Sequence, residues 1–141
     1  MIRVFGLKPG NRLQRKDTYF QYSANEQFTG EYWTNGKKIY QKVLVISQSS
    51  ISSSTAVLSH NIANVDHIID FVFKFDDCTY GYPRTRILPS SYFRDVTGWA
   101  GQVIPSREFL HFELGDAIYE RIMDATTQNI EAIIKYTKTT D

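Results

Sequence analysis

Apolar and polar residues alternate most regularly between residues 69 and 76, where every second side chain is large and apolar. The apolar positions are Ile69, Phe71, Phe73 and Phe75. A period of two is typical of a strand with one buried face, and it excludes a helix, whose apolar positions recur every three or four residues. The pattern predicts a long strand that ends near Asp76, a turn-rich loop to Pro83, and a short strand from Arg84 to Pro89.

A β-hairpin is predicted around Asn35-Gly36, because this pair readily adopts the positive φ angles of a type I′ turn. A two-residue loop places Tyr32 opposite Ile39 and Phe28 opposite Val43 on one face of the hairpin. The other face also carries large apolar side chains. The second strand continues as an uninterrupted apolar run over residues 43–46, so we expect it to be buried on both sides, either within a sandwich or between subunits. The residues predicted to form a subunit interface are Trp33, Tyr40, Leu44 and Ile46.

More strands are predicted in the C-terminal part of the chain. Residues 110–114 alternate between apolar and polar, and residues 130–137 place four apolar side chains on one face. Ile and Tyr favour strands, although residues 118–135 are also compatible with a helix. The Ser-rich residues 47–55 are expected to form a surface loop, and residues 90–106 irregular structure. Several short strands separated by turns indicate an all-β fold, an antiparallel β-sandwich of the jelly-roll type.

Length and composition fit a single domain with a well-developed core. The chain has 141 residues, of which 42% are hydrophobic, and its formal net charge is +1. Because basic and acidic residues nearly balance, the net charge argues against a global attraction to nucleic acid or to an anionic membrane. No apolar stretch approaches the roughly 20 residues of a membrane-spanning helix, and the start lacks the pattern of a signal peptide. We therefore expect a soluble protein that is made in a cytosol.

Residues 1–18 differ from the rest of the sequence. A turn at residues 8–11 precedes a basic cluster, and no long apolar pattern follows until the first predicted strand. We interpret residues 1–18 as an N-terminal arm and residues 19–141 as the β-sandwich module. The arm is expected to be either a solvated terminus or a docking segment that lies on a partner.

No motif in the sequence predicts catalysis. Cys78 is the single cysteine, so an intrachain disulfide and a cysteine-rich metal site are excluded. The three histidines lack a recognised metal-ligand spacing, and nothing in the sequence fixes two carboxylates at the separation that a glycosidase needs. We therefore expect a protein that is not an enzyme and that carries no metal ion and no cofactor.

Aromatic side chains on loops are the candidates for ligand binding. An exposed ring offers an apolar face on which a sugar can stack, and a neighbouring arginine offers hydrogen-bond donors. One tryptophan stands beside glycines in a predicted turn, and two tyrosines precede two arginines. The predicted ligand-binding residues are Trp99, Tyr80, Tyr82, Arg84 and Arg86.

Two segments of the chain resemble a known class of phage modules. Residues 30–42 read Gly-Glu-Tyr-Trp-Thr-Asn-Gly-Lys-Lys-Ile-Tyr-Gln-Lys, and residues 136–141 read Tyr-Thr-Lys-Thr-Thr-Asp. Both resemble the C-terminal head, or receptor-binding module, of bacteriophage tail-fibre and baseplate proteins. By the order of its motifs the resemblance covers residues 22–141, and it is close at the two ends. It implies a trimeric β-sandwich on the surface of a phage, which binds envelope glycans or completes an assembly.

Two hypotheses of function follow from the residues and the resemblance together. The first is a non-enzymatic virion protein of tail-fibre type that binds a host surface glycan. The alternative is a purely structural virion protein without a ligand of its own. The expected partners are further copies of the chain in a trimer, other virion proteins bound through the N-terminal arm, and a bacterial cell-surface glycan. Nucleic acid and membrane insertion are not expected, and the expected location is the virion, after synthesis in the bacterial cytoplasm.

Overall fold

A computed structural model describes residues 21–88, 93–94 and 100–141, and most of these residues lie in antiparallel strands. The nine strands of the described residues are β1 (Gln27–Tyr32), β2 (Lys38–Val45), β3 (Val57–Ser59), β4 (Val65–Asp77), β5 (Arg84–Leu88), β6 (Phe93–Arg94), β7 (Ala100–Pro105), β8 (Phe109–Leu114) and β9 (Gln128–Lys138). A short 3-10 helix spans Gln48–Ser50, and helix α1 spans Asp116–Met123. The prediction of a mostly β chain is confirmed; the sandwich and jelly-roll arrangement stays a prediction.

The strands form two sheets. The larger sheet has the order β1-β2-β9-β4-β5, and the smaller has the order β3-β8-β7-β6. The C-terminal strand β9 lies at the centre of the larger sheet, between β2 and β4, so strands from distant parts of the sequence pair with each other. The predicted alternation is confirmed in β4 for Phe71, Phe73 and Phe75, which are all buried. It is wrong for Ile69, because the register shifts between Ile68 and Asp70 and Ile68 packs against the core instead.

One hydrophobic core joins both sheets and the helix. The rings of Phe73 on β4 and Phe112 on β8 meet edge to face, with centroids 5.4 Å apart. Two helix residues one turn apart, Ile118 and Ile122, pack into the same buried cluster. Because apolar side chains from both sheets are removed from water together, neither sheet is expected to be stable alone.

The hairpin prediction is correct in its place and wrong in its register. The Trp33 N–H donates to the Lys37 carbonyl (2.8 Å), which leaves a three-residue loop in which Gly36 has a φ of 84°. Asn35 does not have the positive φ that a type I′ turn requires. A second irregularity lies near Gly30 in β1, so Phe28 pairs with Tyr40 and not with Val43.

Two further sequence predictions are wrong in part. The apolar segment after Gly115 begins with helix α1 and not with a strand, and only the following residues, from Gln128 onward, form β9. The Ile118–Ile122 spacing fits one buried face of a helix, and this packing outweighs the preference of isoleucine for strands. Residues 100–105, expected to be irregular, form strand β7.

Several predictions lie outside the described residues. These are the N-terminal arm at residues 1–18, the ligand-binding role of Trp99, and the proline end of β5 at Pro89. Within the described ranges, the longest helix is much too short to cross a membrane.

Candidate ligand-binding site

The loop between β4 and β5 carries most of the predicted ligand-binding residues. Residues 78–83 turn at Gly81, which has a φ of 85° and donates its N–H to the Cys78 carbonyl (3.0 Å). Helix α1 reaches the same place from a distant part of the chain and adds an arginine. We call this set the Tyr–Arg cluster, and it consists of Tyr80, Tyr82, Arg84, Arg86 and Arg121.

Asp77, the last residue of β4, anchors the Tyr–Arg cluster to the core. Its side chain is fully buried, and its two oxygens accept four hydrogen bonds. Oδ1 accepts from the N–H (3.0 Å) and the hydroxyl (2.7 Å) of Thr79. Oδ2 accepts from Nε of Arg86 (2.9 Å) and from Nη1 of Arg121 (3.0 Å). One carboxylate therefore ties together the loop, strand β5 and helix α1.

The environment of Asp77 keeps it ionised. Burial alone would raise the pKa of this carboxyl, but the hydrogen bonds from Thr79, Arg86 and Arg121 favour the charged form and hold the pKa well below its usual range. Two guanidinium groups, those of Arg86 and Arg121, bind Asp77, and Arg121 also lies near Asp124, while Arg84 forms no ion pair with a described carboxylate. The Tyr–Arg cluster thus keeps an excess of positive charge.

Tyr80 is held between charged neighbours. The guanidinium carbon of Arg84 lies 4.7 Å from the centre of the Tyr80 ring, and that of Arg121 lies 5.5 Å from it. A hydrogen bond from Arg121, together with the charges of Arg121 and Arg84, lowers the pKa of the Tyr80 phenol. Because both guanidinium groups occupy positions near its ring, Tyr80 supports the arginines and is a poor stacking surface for a ligand.

Tyr80, Tyr82 and Arg84 are the members of the cluster that are exposed to solvent. Tyr82 is 60% exposed although it is a large aromatic residue. Arg84 is exposed as well, and no described carboxylate forms an ion pair with it. Tyr82 offers an exposed stacking face, and Arg84, two residues later and held over the Tyr80 ring, offers several N–H donors. These two kinds of group are the chemistry that recognises a sugar with an acidic substituent.

The structure connects three of the five predicted ligand-binding residues, Tyr80, Arg84 and Arg86, through Asp77 and Arg121, and Tyr82 stands beside them in the same loop. Tyr80, Tyr82, Arg84 and Arg86 all belong to the cluster, and Arg86 is the one used mainly for structure, through Asp77. Arg121 was missed in the sequence, because it lies 44 residues from Asp77. Its only sequence signal is a basic residue in the last turn of a helix, which the sequence allows as an alternative to a strand.

The predicted interface residues differ greatly in exposure. Ile46 is buried in the core of its own chain, whereas Tyr40 and Leu44 are half-buried and pack against that core. Trp33 is 37% exposed in the hairpin loop. The more exposed aromatic residues of this region are Phe28 and Tyr32, whose rings meet edge to face at 5.6 Å. We call Phe28, Tyr32 and Tyr40 the hairpin aromatic patch.

A second polar network supports the hairpin aromatic patch. The buried Tyr136 hydroxyl donates to Oε1 of Glu26 (2.6 Å), and Lys138 Nζ donates to Oε2 (2.8 Å). Burial, and then the hydrogen bond to Glu26, raise the pKa of Tyr136 well above its usual range. Lys138 also lies 5.0 Å from the centre of the Tyr40 ring. These bonds fix strand β9 against the residues that precede β1.

Two of the described histidines, His60 and His111, form hydrogen bonds that support the fold. His60 is buried, and its Nδ1 accepts the N–H of Ile62 (3.1 Å), so Nε2 carries the proton that it donates to the Ser106 carbonyl (2.9 Å). His111 Nε2 lies 3.2 Å from the Ser106 hydroxyl. Across the described part of the chain, no cluster of three or more His, Cys, Asp or Glu residues is arranged to hold a metal ion.

Comparison with known proteins gives no relative. No protein-family model, no curated protein and no solved structure matches the chain.

Proposed function

We propose that the chain is a non-enzymatic virion protein of tail-fibre type and that it binds a bacterial surface glycan through the Tyr–Arg cluster. The observation that carries the proposal is that Tyr82, which is 60% exposed, stands two residues before Arg84, whose guanidinium lies over the Tyr80 ring. The anchor at Asp77 supports it, because a fixed loop loses little conformational entropy when a ligand binds. The phage setting rests on the resemblance of residues 30–42 and 136–141 to receptor-binding modules.

The ligand in this proposal is a glycan with carboxylate or phosphate groups. The excess of guanidinium groups over carboxylates in the cluster favours an anionic partner, and arginine matches the oxygens of both groups with paired N–H donors. The ring of Tyr82 contributes a stacking face for the sugar itself. The two sheets form a jelly-roll-like sandwich in this proposal, and the loop lies at one end of it.

The test is binding of the purified full chain to an immobilised panel of bacterial cell-wall glycans, both acidic and neutral. Tyr82→Ala and Arg84→Ala are each expected to weaken binding to acidic glycans about tenfold, which corresponds to the loss of about 1.4 kcal/mol. Tyr32→Ala is the matched control, because Tyr32 is also 60% exposed and lies in the hairpin. The proposal would be contradicted if Tyr82→Ala and Tyr32→Ala weakened the affinity for acidic glycans equally, or if the parent chain bound no glycan.

A purely structural virion role is the second candidate, and the hairpin aromatic patch favours it. Phe28 and Tyr32 are 41% and 60% exposed, and contiguous exposed aromatic rings are typical of surfaces that meet another protein. Size-exclusion chromatography with light scattering tests this role. A stable trimer that Phe28→Ser dissociates, together with no glycan binding, would favour the structural role; a monomer would contradict the trimer in both hypotheses.

A further inference from the structure

The hairpin loop contains an asparagine that is followed directly by a glycine, Asn35-Gly36. Asparagine is a chemically labile residue, because the backbone nitrogen of the next residue can attack its side-chain carbonyl carbon, Cγ. A glycine in the next position hinders this attack least, because it has no Cβ. Both residues are exposed, and apart from the chain neighbours of Gly36 no heavy atom lies within 4 Å of the place that a Cβ would occupy. Water and a cyclic intermediate therefore both have room at this loop.

The conformation of Asn35 turns its carboxamide toward the attacking nitrogen. Oδ1 of Asn35 accepts the backbone N–H of Lys37 (3.0 Å), so the side chain folds back over the peptide bond between Asn35 and Gly36. This fixed geometry shortens the conformational search before the attack, and the hydrogen bond to Oδ1 draws electron density away from Cγ. A second bond, from the Gly36 N–H to the Trp33 carbonyl (2.9 Å), holds the proton that must leave. The loop thus favours the approach of the nitrogen and opposes the loss of its proton.

None of the other four described asparagines is followed by glycine. Three of them precede a β-branched residue, whose side chain crowds the nitrogen that would attack. These three are Asn61, Asn64 and Asn129. The Nδ2 group of Asn129 is also held by a hydrogen bond to Oδ2 of Asp76 (2.8 Å). Among the described residues, the sequence and the local geometry therefore both favour reaction at Asn35.

We propose that Asn35 deamidates spontaneously in the folded chain, and that the product is an aspartate or an isoaspartate at this position. The Gly36 nitrogen forms a bond to Cγ of Asn35, the bond from Cγ to Nδ2 breaks, and the NH₂ group leaves as ammonia with the proton of the Gly36 nitrogen. One water molecule from the solvent then opens the cyclic imide. Attack of water at Cγ gives aspartate. Attack at the main-chain carbonyl carbon gives isoaspartate, in which the chain continues through the former side chain.

Either product changes the hairpin beside its aromatic patch. The reaction replaces a neutral amide with a carboxylate close to Lys37 and Lys38 in the sequence. Isoaspartate also adds one atom to the main chain of the three-residue loop, which is closed by the bond from the Trp33 N–H to the Lys37 carbonyl (2.8 Å). Lys37 in turn ties the hairpin to β4 through its ion pair with Asp66 (2.9 Å). The surface around the hairpin aromatic patch therefore changes as the protein ages.

The test is incubation of the folded full chain in mildly alkaline water enriched in heavy oxygen, followed by ion exchange and peptide mapping by mass spectrometry. The expected product is a more acidic form with one heavy oxygen at residue 35, of which isoaspartate methyltransferase labels a part. A synthetic peptide of residues 31–39 gives the rate without the fold. Because one hydrogen bond opposes the reaction, the folded chain is expected to react no more than about tenfold more slowly than the peptide. A larger slowing would mean that the fold protects Asn35 and would overturn the proposal.

Two variants test the ring closure itself. Gly36→Ala places a side chain beside the attacking nitrogen and is expected to slow the reaction at least about tenfold. Asn35→Gln keeps the amide but requires a larger ring, and it is expected to give no acidic form at this position. The other described asparagines are internal controls in the same digest. Faster conversion at Asn61, Asn64 or Asn129 than at Asn35, or a smaller slowing than this in Gly36→Ala, would contradict the proposed reaction.

Discussion

Replacing Asp77 with asparagine removes the negative charge that Arg86 and Arg121 share, while it leaves the shape of the side chain almost unchanged. The buried carboxylate accepts four hydrogen bonds, and two of them come from guanidinium groups. Asparagine has a single acceptor oxygen, so its NH₂ group must face either the Thr79 donors or the arginines. The substitution therefore leaves buried donors unpaired.

The cost of Asp77→Asn can be placed at about 3 kcal/mol. Removing one partner of a buried ion pair costs roughly 3 to 5 kcal/mol. The lower end applies here because the side chains of Arg86 and Arg121 are 27% and 29% exposed, so water can solvate part of their charge. For a chain of this length the melting temperature is expected to fall by about 10 °C.

The effect of Asp77→Asn is also expected to depend on pH. The folded-state pKa of Asp77 is held below its unfolded value of about 3.9, so its charge stabilises the fold fully above about pH 5. That contribution is lost as the pH falls toward the folded pKa, by about 1.4 kcal/mol for each pH unit below about 4. The asparagine variant has no titrating group at this position. The difference in the free energy of unfolding between the parent protein and the variant should therefore become smaller at low pH.

Urea unfolding, followed by tryptophan fluorescence at pH 7, 5 and 3, measures this difference in the free energy of unfolding. A constant difference from pH 7 to pH 5 that shrinks by about 1 kcal/mol or more at pH 3 is expected. A cost below about 1 kcal/mol at pH 7, or a difference that does not change at pH 3, would refute the assigned role of Asp77.

Three other substitutions test the packing and the turns, each by chemical denaturation. Phe73→Ala is expected to cost about 3 to 5 kcal/mol, because a fully buried ring that packs on Phe112 is removed; a cost under 2 would contradict a shared core. Tyr136→Phe is expected to cost about 1 to 2 kcal/mol through the lost bond to Glu26, and a neutral result would argue against that bond. Gly36→Ala should cost about 1 kcal/mol because alanine is strained at the observed φ of 84°. The cost comes from the backbone alone, since no atom lies within 4 Å of the added methyl group, and a stabilised variant would refute the left-handed turn.

The sequence predicts the parts of the fold that are governed by local patterns. The Phe alternation of β4 and the apolar end of β9 are visible because every second side chain is buried from Phe71 to Phe75 and from Ile130 to Tyr136. Strand β7 was missed because it contains Gly101, and glycine weakens a strand pattern. The structure gives the reason for this glycine, since an added Cβ would lie 3.3 Å from the backbone oxygen of Glu113 on β8.

Features that depend on tertiary contacts could not be predicted. The pair Asn35-Gly36 is compatible with a two-residue loop and with the observed three-residue loop, and a change of one residue moves every cross-strand pair. The aromatic and arginine residues of the Tyr–Arg cluster were found because four of them are close in sequence. Asp77 and Arg121 were not assigned to the cluster, because only the folded chain brings helix α1 to the end of β4.

The most direct test of the proposed function is to map a bound glycan on the labelled protein by NMR. An acidic glycan selected from the binding panel is titrated into the ¹⁵N-labelled full chain, and amide shifts are followed for the assigned residues. The account predicts the largest changes at residues 79–86, with a smaller change at Arg121 on helix α1. Changes centred on the hairpin at residues 28–40, or none anywhere at saturating glycan, would contradict it.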